Sequence, residues 1–463
     1  MSRADLCRAT PEAYGKIKRM VRRTIIIAIT ALALGPGLSA CALLNVFDEK
    51  KPDPLPGERI SVLLNSRTVA ADPALAGKQI LLPAPTPNQS WPQAGGYPNH
   101  AMQHIQISDS LAKAWSADIG SGSDDAELLN GTPVVADGKV FTLDAESLVS
   151  AYDMANGNRL WNTDLTPEED DDGHISGGLA YDSGMLYVST GFNYIIALDA
   201  TSGKEIWRRR VETPMRAAPT VRGGRLFQVT LGNQLYALNA KTGETLWTHR
   251  GLPEVASVLG GASPAVDKGV VVVPYTSGEL IALKVETGRE LWQDALITVR
   301  RADVASSLSG IRGRPVIDRD RVIAVSNGGV MVAIDLRTGR RLWEKDITSI
   351  ESPWVVGNYV YVLSTDSELI AMSRDDGRVY WVRGLPRFED QKNLKDQITW
   401  TGPILASDRL IVAGSHGEAL AISPYSGKFL GSVEMPDGVA ISPVVAQGSV
   451  FFLANDAELV VYR

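Results

Sequence analysis

Gln234-Leu-Tyr-Ala-Leu-Asn-Ala-Lys-Thr-Gly-Glu-Thr-Leu-Trp247 is an apolar strand, a turn and the start of a second strand. Leu235, Ala237 and Leu238 form a short β-type run. Asn239 to Gly243 supply turn chemistry, with a glycine free to take φ > 0, and Leu246-Trp247 begin the next strand. The fold follows from how often this unit is repeated.

The Gly-x-x-x-Trp ending at Gly243/Trp247 recurs at Gly157/Trp161, Gly203/Trp207, Gly288/Trp292, Gly339/Trp343 and Gly377/Trp381, each after a strand such as Ile196-Ala-Leu-Asp199. A seventh copy, Leu420-Ala-Ile-Ser-Pro-Tyr-Ser-Gly427, has Gly431 where the Trp should be. A second signature opens each unit: a Pro, three apolar residues, a tight turn and another apolar strand. It appears at Pro133 and again around Leu179, Pro219, Pro264, Pro315, Pro353, Pro403 and Pro443, which makes eight openings.

Eight openings face seven endings because the last unit stops at Leu459-Val-Val-Tyr-Arg463 without its final strand. That strand is expected at Leu111-Ala-Lys-Ala-Trp-Ser-Ala-Asp-Ile119, which matches Asn158-Arg-Leu-Trp-Asn-Thr-Asp-Leu165 and puts Trp115 at the repeat position. An N-terminal strand completing a C-terminal sheet closes a ring without a free edge. The expectation is an all-β, eight-bladed β-propeller, with a repeat of about 38 to 51 residues giving four short strands per blade. The periodic tryptophans are then core residues packed between blades. Each buries about 150–250 Å², worth about 4–6 kcal/mol as an upper bound at ~25 cal/mol/Å².

The N-terminus differs from the repeats. Lys16, Lys18, Arg19, Arg22 and Arg23 precede an apolar run over 24–34 and then Leu38-Ser-Ala-Cys41, the layout of an export signal, with Met20 as a second candidate start. The run is too short to span a bilayer. Leu-Ser-Ala-Cys resembles a bacterial lipobox, which implies cleavage at 40 and lipidation of Cys41. Ala42 in the following position implies sorting to the outer membrane. Residues 41–90, rich in Pro, Asp and Lys, are expected to form a tether with one short strand over 59–64, and the propeller to occupy 91–463.

The formal net charge of −7 becomes more negative when 1–40, with seven basic and two acidic side chains, is removed. That argues against binding nucleic-acid phosphates and against electrostatic adhesion to anionic lipid. Cys7 and Cys41 are the sole cysteines, so no disulfide framework supports the ring. His100 and His104 stand at i, i+4, but Gly95, Gly96 and Pro98 argue against a helix and no third ligand is evident, so both are expected at the surface. The acidic run over 168–172 puts Leu179 where a calcium loop needs its bidentate Glu, and is expected to be a solvated loop.

The consensus Tyr-Ala-Leu-(Asp/Asn)-Ala-x-(Thr/Ser)-Gly-x-x-x-Trp resembles the repeat of pyrroloquinoline-quinone (PQQ)-type propellers over residues 111–463. With the lipobox-like segment and a single propeller, the chain is similar to the BamB family, lipoproteins of the outer-membrane β-barrel assembly machinery, the BAM complex. The resemblance implies a non-enzymatic scaffold, lipid-anchored at the periplasmic face of the outer membrane, with neither cofactor nor metal. It also implies binding to the POTRA domains of BamA and other machinery subunits, and leaves open unfolded outer-membrane proteins as a further partner. The alternative is a PQQ-dependent periplasmic dehydrogenase, but residues 111–463 contain no cysteine to form the disulfide many such enzymes carry beside the cofactor. A ligand-sensing propeller is a third class.

Two connections break the regular spacing: the apolar 251–261, and 297–313, which lengthens its repeat to 51 residues. They correspond to the loops that contact BamA in the family. Leu259 stands where an arginine is expected and Arg312 where an acidic residue is, so loop position transfers while charge pairing does not. The expected partner-binding residues are Val258, Leu259, Arg300, Arg301, Asp303 and Arg312.

Overall fold

Asn239 holds the turn that it opens. Its Oδ1 accepts from the Lys241 and Thr242 amides at 2.9 and 3.2 Å, and the Gly243 N–H donates to the Asn239 carbonyl at 2.8 Å. Gly243 takes φ +71°. The flanking strands Gln234–Asn239 and Thr245–Arg250 pair antiparallel and set Trp247 opposite Ala237, whose small side chain leaves room for the indole.

The structure, a computed structural model, describes residues 69–124, 127–168, 175, 177–253, 260–297 and 310–463. These contain eight four-stranded antiparallel sheets, the blades of a propeller. Blades 1 to 7 span residues 134–164, 178–210, 220–250, 265–295, 316–345, 354–384 and 400–434. A hairpin of Phe388–Asp390 and Lys395–Gln397 lies between blades 6 and 7. Blade 8 joins residues 444–462 to the strand Lys113–Asp118, with Lys113 paired to Tyr462 and Trp115 to Val461, as the count of repeats requires. The inner strands are buried along nearly their whole length because each blade is covered on both faces, whereas outer strands such as Arg159–Asp164 alternate.

One joint is repeated around the ring. In seven of the eight blades a Trp donates its indole N–H to a carbonyl of the next blade at 2.8–3.3 Å: Trp115 to Met154, Trp161 to Ala200, Trp207 to Ala240, Trp247 to Val285, Trp292 to Leu336, Trp343 to Arg374 and Trp381 to Pro424. The turn glycine three residues after each carbonyl lies against the same indole. A Cβ on Gly243 would come within 2.7 Å of the Trp207 ring. The motif glycine therefore has two tasks, a left-handed turn in its own blade and contact with the tryptophan of the blade before. Between blades 7 and 8 this joint is missing, since Gly431 occupies the Trp position.

Residues 86–107 pass across one end of the ring and bond to every blade. Asn88 Nδ2 donates to the Val445 carbonyl of blade 8 at 2.8 Å, and Trp91 exchanges two main-chain bonds with Val135 of blade 1. Gln93 bridges to Ala180 of blade 2, and its side chain pairs with the Val221 carbonyl and N–H of blade 3 at 2.7 and 3.2 Å. The Pro98 and Asn99 carbonyls accept from Val266 and Ile317 of blades 4 and 5, and the Gln103 carbonyl from Trp354 Nε1 of blade 6. The Ile105 N–H donates to Leu405 of blade 7. This segment plugs the channel.

Packing begins earlier than the expected boundary at 91. The Asp72 N–H donates to Val379, Leu81 to the Tyr359 hydroxyl, and Leu75 and Ile80 are buried. His100 and His104, expected at the surface, are buried in the plug at 7% and 1% exposure. Each ring replaces a solvent contact with a carbonyl: His100 Nδ1 lies 2.8 Å from Pro315 O, and His104 Nδ1 lies 2.7 Å from Pro83 O. His104 Nε2 accepts from the Asp408 amide, which assigns the neutral tautomer with the proton on Nδ1.

Candidate partner-binding face

Both irregular loops leave from a single turn of blade 4. In the first, the Leu252 N–H donates to Glu279 Oε2 at 2.7 Å, and the Leu252 carbonyl accepts from Asn233 Nδ2 at 2.7 Å. In the second, the Leu296 N–H donates to the Gly278 carbonyl at 2.8 Å, and the loop returns where Ile311 N–H meets Tyr275 O at 3.4 Å. Buried Asn233 fixes the turn from blade 3, its Oδ1 accepting from the Thr276 amide and hydroxyl at 3.1 and 2.8 Å. Below it, burial pushes the Tyr275 hydroxyl well above the usual phenol range and pulls the His249 imidazole down. The phenol therefore keeps its proton, and its oxygen is hydrogen-bonded to His249 Nδ1 at 2.8 Å. On this rigid base two aliphatic side chains face water, Leu252 at 62% and Ile297 at 44% exposure.

The far ends of the loops also meet. A Cβ added to Gly260 would lie 2.8 Å from Arg312 Nε, so the guanidinium crosses directly over the Gly260 backbone. Gly260, Gly261 and Arg312 line the open mouth of the channel, a cavity of about 360 Å³ bounded mainly by the segments that lead into the eight blades. Arg216, Arg314 and Glu351 share its wall. Glu351 Oε2 accepts from Thr401 Oγ1 at 3.0 Å and the Gly402 N–H at 3.2 Å. Burial nevertheless pushes its carboxyl up, against the pull of Arg312 and Arg314. Burial lowers the Arg314 guanidinium, whose Nε has no hydrogen-bond partner. Among the described residues the mouth thus presents three guanidinium groups against one carboxyl group, an excess of basic side chains.

Of the residues expected to bind a partner, the structure places Arg312 at this mouth. Val258, Leu259, Arg300, Arg301 and Asp303 lie outside the described residues, as do Cys41 and 169–172 of the acidic run. Arg314 and Glu351 were not singled out by sequence, yet Arg314 carried a signal. The residues before the opening prolines are Thr132, Ala218, Ser263, Ser352, Gly402 and Ser442, all small, and Arg314 breaks that pattern.

A family model described as outer membrane protein assembly factor BamB matches residues 145–383. The outer membrane protein assembly factor BamB of Yersinia pestis is 27% identical over 364 residues, covering 77% of this chain and 90% of the relative. Its counterpart in Escherichia coli K12 is 27% identical over 387 residues, covering 75% and 87%. Among solved structures, BamB from Moraxella catarrhalis superposes with a TM-score of 0.65 at 19% identity, covering 76% of this chain and all of that one. The quinohemoprotein alcohol dehydrogenase of Comamonas testosteroni reaches 0.62 at 15% identity, covering 82% and 81%, which is a likeness of fold.

Proposed function

The chain belongs to the BamB family of outer-membrane assembly factors, and from that premise we propose that it is a non-enzymatic scaffold of the β-barrel assembly machinery. In this reading residues 1–40 export it and acyl chains on Cys41 hold it at the periplasmic face of the outer membrane. The loops of blades 3 to 5 dock on the POTRA region of BamA. The observation that carries the reading is the meeting of both irregular loops at one blade-4 turn and at the Gly260–Arg312 contact. Leu252 and Ile297 supply the apolar anchors, and Arg312 with Arg216 and Arg314 supplies a basic floor that selects an acidic patch on the partner. In this reading Val258, Leu259, Arg300, Arg301 and Asp303, which belong to the same two loops in sequence, are also partner-binding residues.

The test is co-purification of lipidated protein from outer membranes, with mass spectrometry for bound quinone, followed by POTRA pull-down with Leu252→Ser/Arg312→Glu. BamA recovered without quinone, and lost with the double variant, supports the scaffold. Wild-type recovery by the double variant rejects the docking face, and bound quinone with dye-linked oxidation rejects the function.

A further inference from the structure

The ring has eight junctions but seven inter-blade tryptophans. At the eighth, between blades 7 and 8, the register runs Ile411 opposite Ala421 opposite Gly431, where blade 3 runs Phe227 opposite Ala237 opposite Trp247. The space that an indole would fill is open. A cavity of about 230 Å³ lies there, lined by Ile411, Ala421, Gly431, Val450, Phe452 and Tyr462.

The missing ring has a structural cause in blade 8. Every other inter-blade indole donates to a carbonyl in a strand-turn-strand loop of the next blade. Blade 8 has no such loop, because Glu458–Tyr462 and Lys113–Asp118 come from distant parts of the chain, tied by reciprocal Ala112–Arg463 main-chain bonds of 3.0 Å. An indole on residue 431 would find its apolar socket without its acceptor.

We propose that this seam takes up one aromatic side chain of an extended polypeptide that pairs with the outer strand Phe429–Glu434. The ring itself shows the chemistry of the occupant, since the same geometry holds an indole at each of the other seven junctions. Size agrees, because an apolar cavity of about 150 Å³ is enough to bind benzene. The extended backbone follows from the strand beside it. Phe429–Glu434 is exposed along its whole length and pairs on one side, with blade 7, so the other edge offers N–H and C=O groups to an added strand. Val433, 36% exposed, places apolar surface at the opening. The site lies on blades 7 and 8, away from the loops of blades 3 to 5, so either reading can fail without the other.

The probe is an eight-residue Thr/Val-rich peptide with one central 5-fluorotryptophan, titrated into the full chain and followed by fluorine NMR. A saturable shift is expected, weakened at least tenfold by Ala421→Leu, which fills the cavity, and by Val433→Glu, which charges its rim. Val433 is exposed, so the second variant tests the site even where the first folds poorly. An unlabelled peptide with Ala for Trp should fail to displace the probe. No saturable shift at millimolar peptide, equal binding by Val433→Glu, or equal competition by the Ala peptide would overturn the proposal. So would sedimentation showing that a second copy occupies the seam, or binding that appears once residues 41–68 are deleted, which would make the chain its own occupant.

Discussion

Trp292 of blade 4 donates its indole N–H to the carbonyl of Leu336 in blade 5 at 2.8 Å, in a fully buried bond. The turn glycine Gly339, at φ +72°, lies so close that an added Cβ would sit 2.5 Å from the Trp292 Cβ. The turn of one blade and the tryptophan of another are therefore one structural unit.

A double-mutant cycle measures that unit. Trp292→Ala is expected to cost about 3–5 kcal/mol in urea unfolding. Gly339→Ala is expected to cost about 1–3 kcal/mol from backbone strain and the clash. Because the alanine at 292 removes part of the obstacle, the double variant should fall short of the sum by about 1 kcal/mol or more. Strict additivity would mean the two residues act separately.

Gln93 serves blade 3 as a substitute strand, giving Val221 both a donor and an acceptor from a side chain 3% exposed. Gln93→Ala leaves a buried N–H and C=O unpaired and should destabilise by about 2–3 kcal/mol. Gln93→Glu should not rescue it, since a carboxylate cannot donate to the Val221 carbonyl. Hydrogen exchange at the Val221 amide should accelerate in both variants.

Burial, aided by nearby Arg314 and opposed by the Pro315 carbonyl, holds the His100 imidazole down at about 3, against an ordinary value of 6.5. The native ring stays neutral while the unfolded one takes a proton below pH 6.5. Its contribution is thus complete above that pH and is lost as pH falls toward 3. Unfolding free energy should drop by about 2 kcal/mol between pH 7 and pH 5 through this group. His100→Gln should flatten that part of the profile, and an unchanged slope would refute the assignment.

Arg374, 3% exposed, crosses from blade 6 to Asp318 of blade 5, itself 6% exposed, with Nε 2.7 Å from Oδ2. Gln103 of the plug donates to the other carboxylate oxygen at 2.9 Å. Arg374→Met leaves the buried carboxylate with Gln103 and the more exposed Arg319, whose Nε lies 3.0 Å from Oδ2, and should cost about 2–3 kcal/mol, with Asp318→Asn added to it recovering part of the loss. Calorimetry of the three proteins decides it.

The periodic part of the fold was legible because its cause is local. A turn needs Asn or Asp then Gly, an inter-blade junction needs Trp, and both requirements fall within fourteen residues such as 234–247. Trp115 could be assigned to the last blade because it carries the same pattern. His100 and His104 could not be placed, because what buries them is a plug whose partners, Pro315 and Asp408, stand more than 200 residues away in sequence. Arg314 was hidden for a related reason. One arginine before a proline stands out from the small residues at the other openings, but its place on the channel rim is visible only once eight blades bring those positions together. Arg312 was found because its loop breaks the spacing.

The pairing of Lys113–Asp118 with Glu458–Tyr462 also governs the order in which the chain can fold. Hairpins such as 234–247 close over a few residues and form quickly, whereas strand partners such as Trp115 and Val461, 346 residues apart, must wait for nearly the whole polypeptide. The plug waits with them, since Asn88 needs Val445. Until the last strand reaches the first, the growing array has two open ends and an uncapped axis. Ring closure is then the slow, late step in which a linear series of hairpins becomes a single cooperative body.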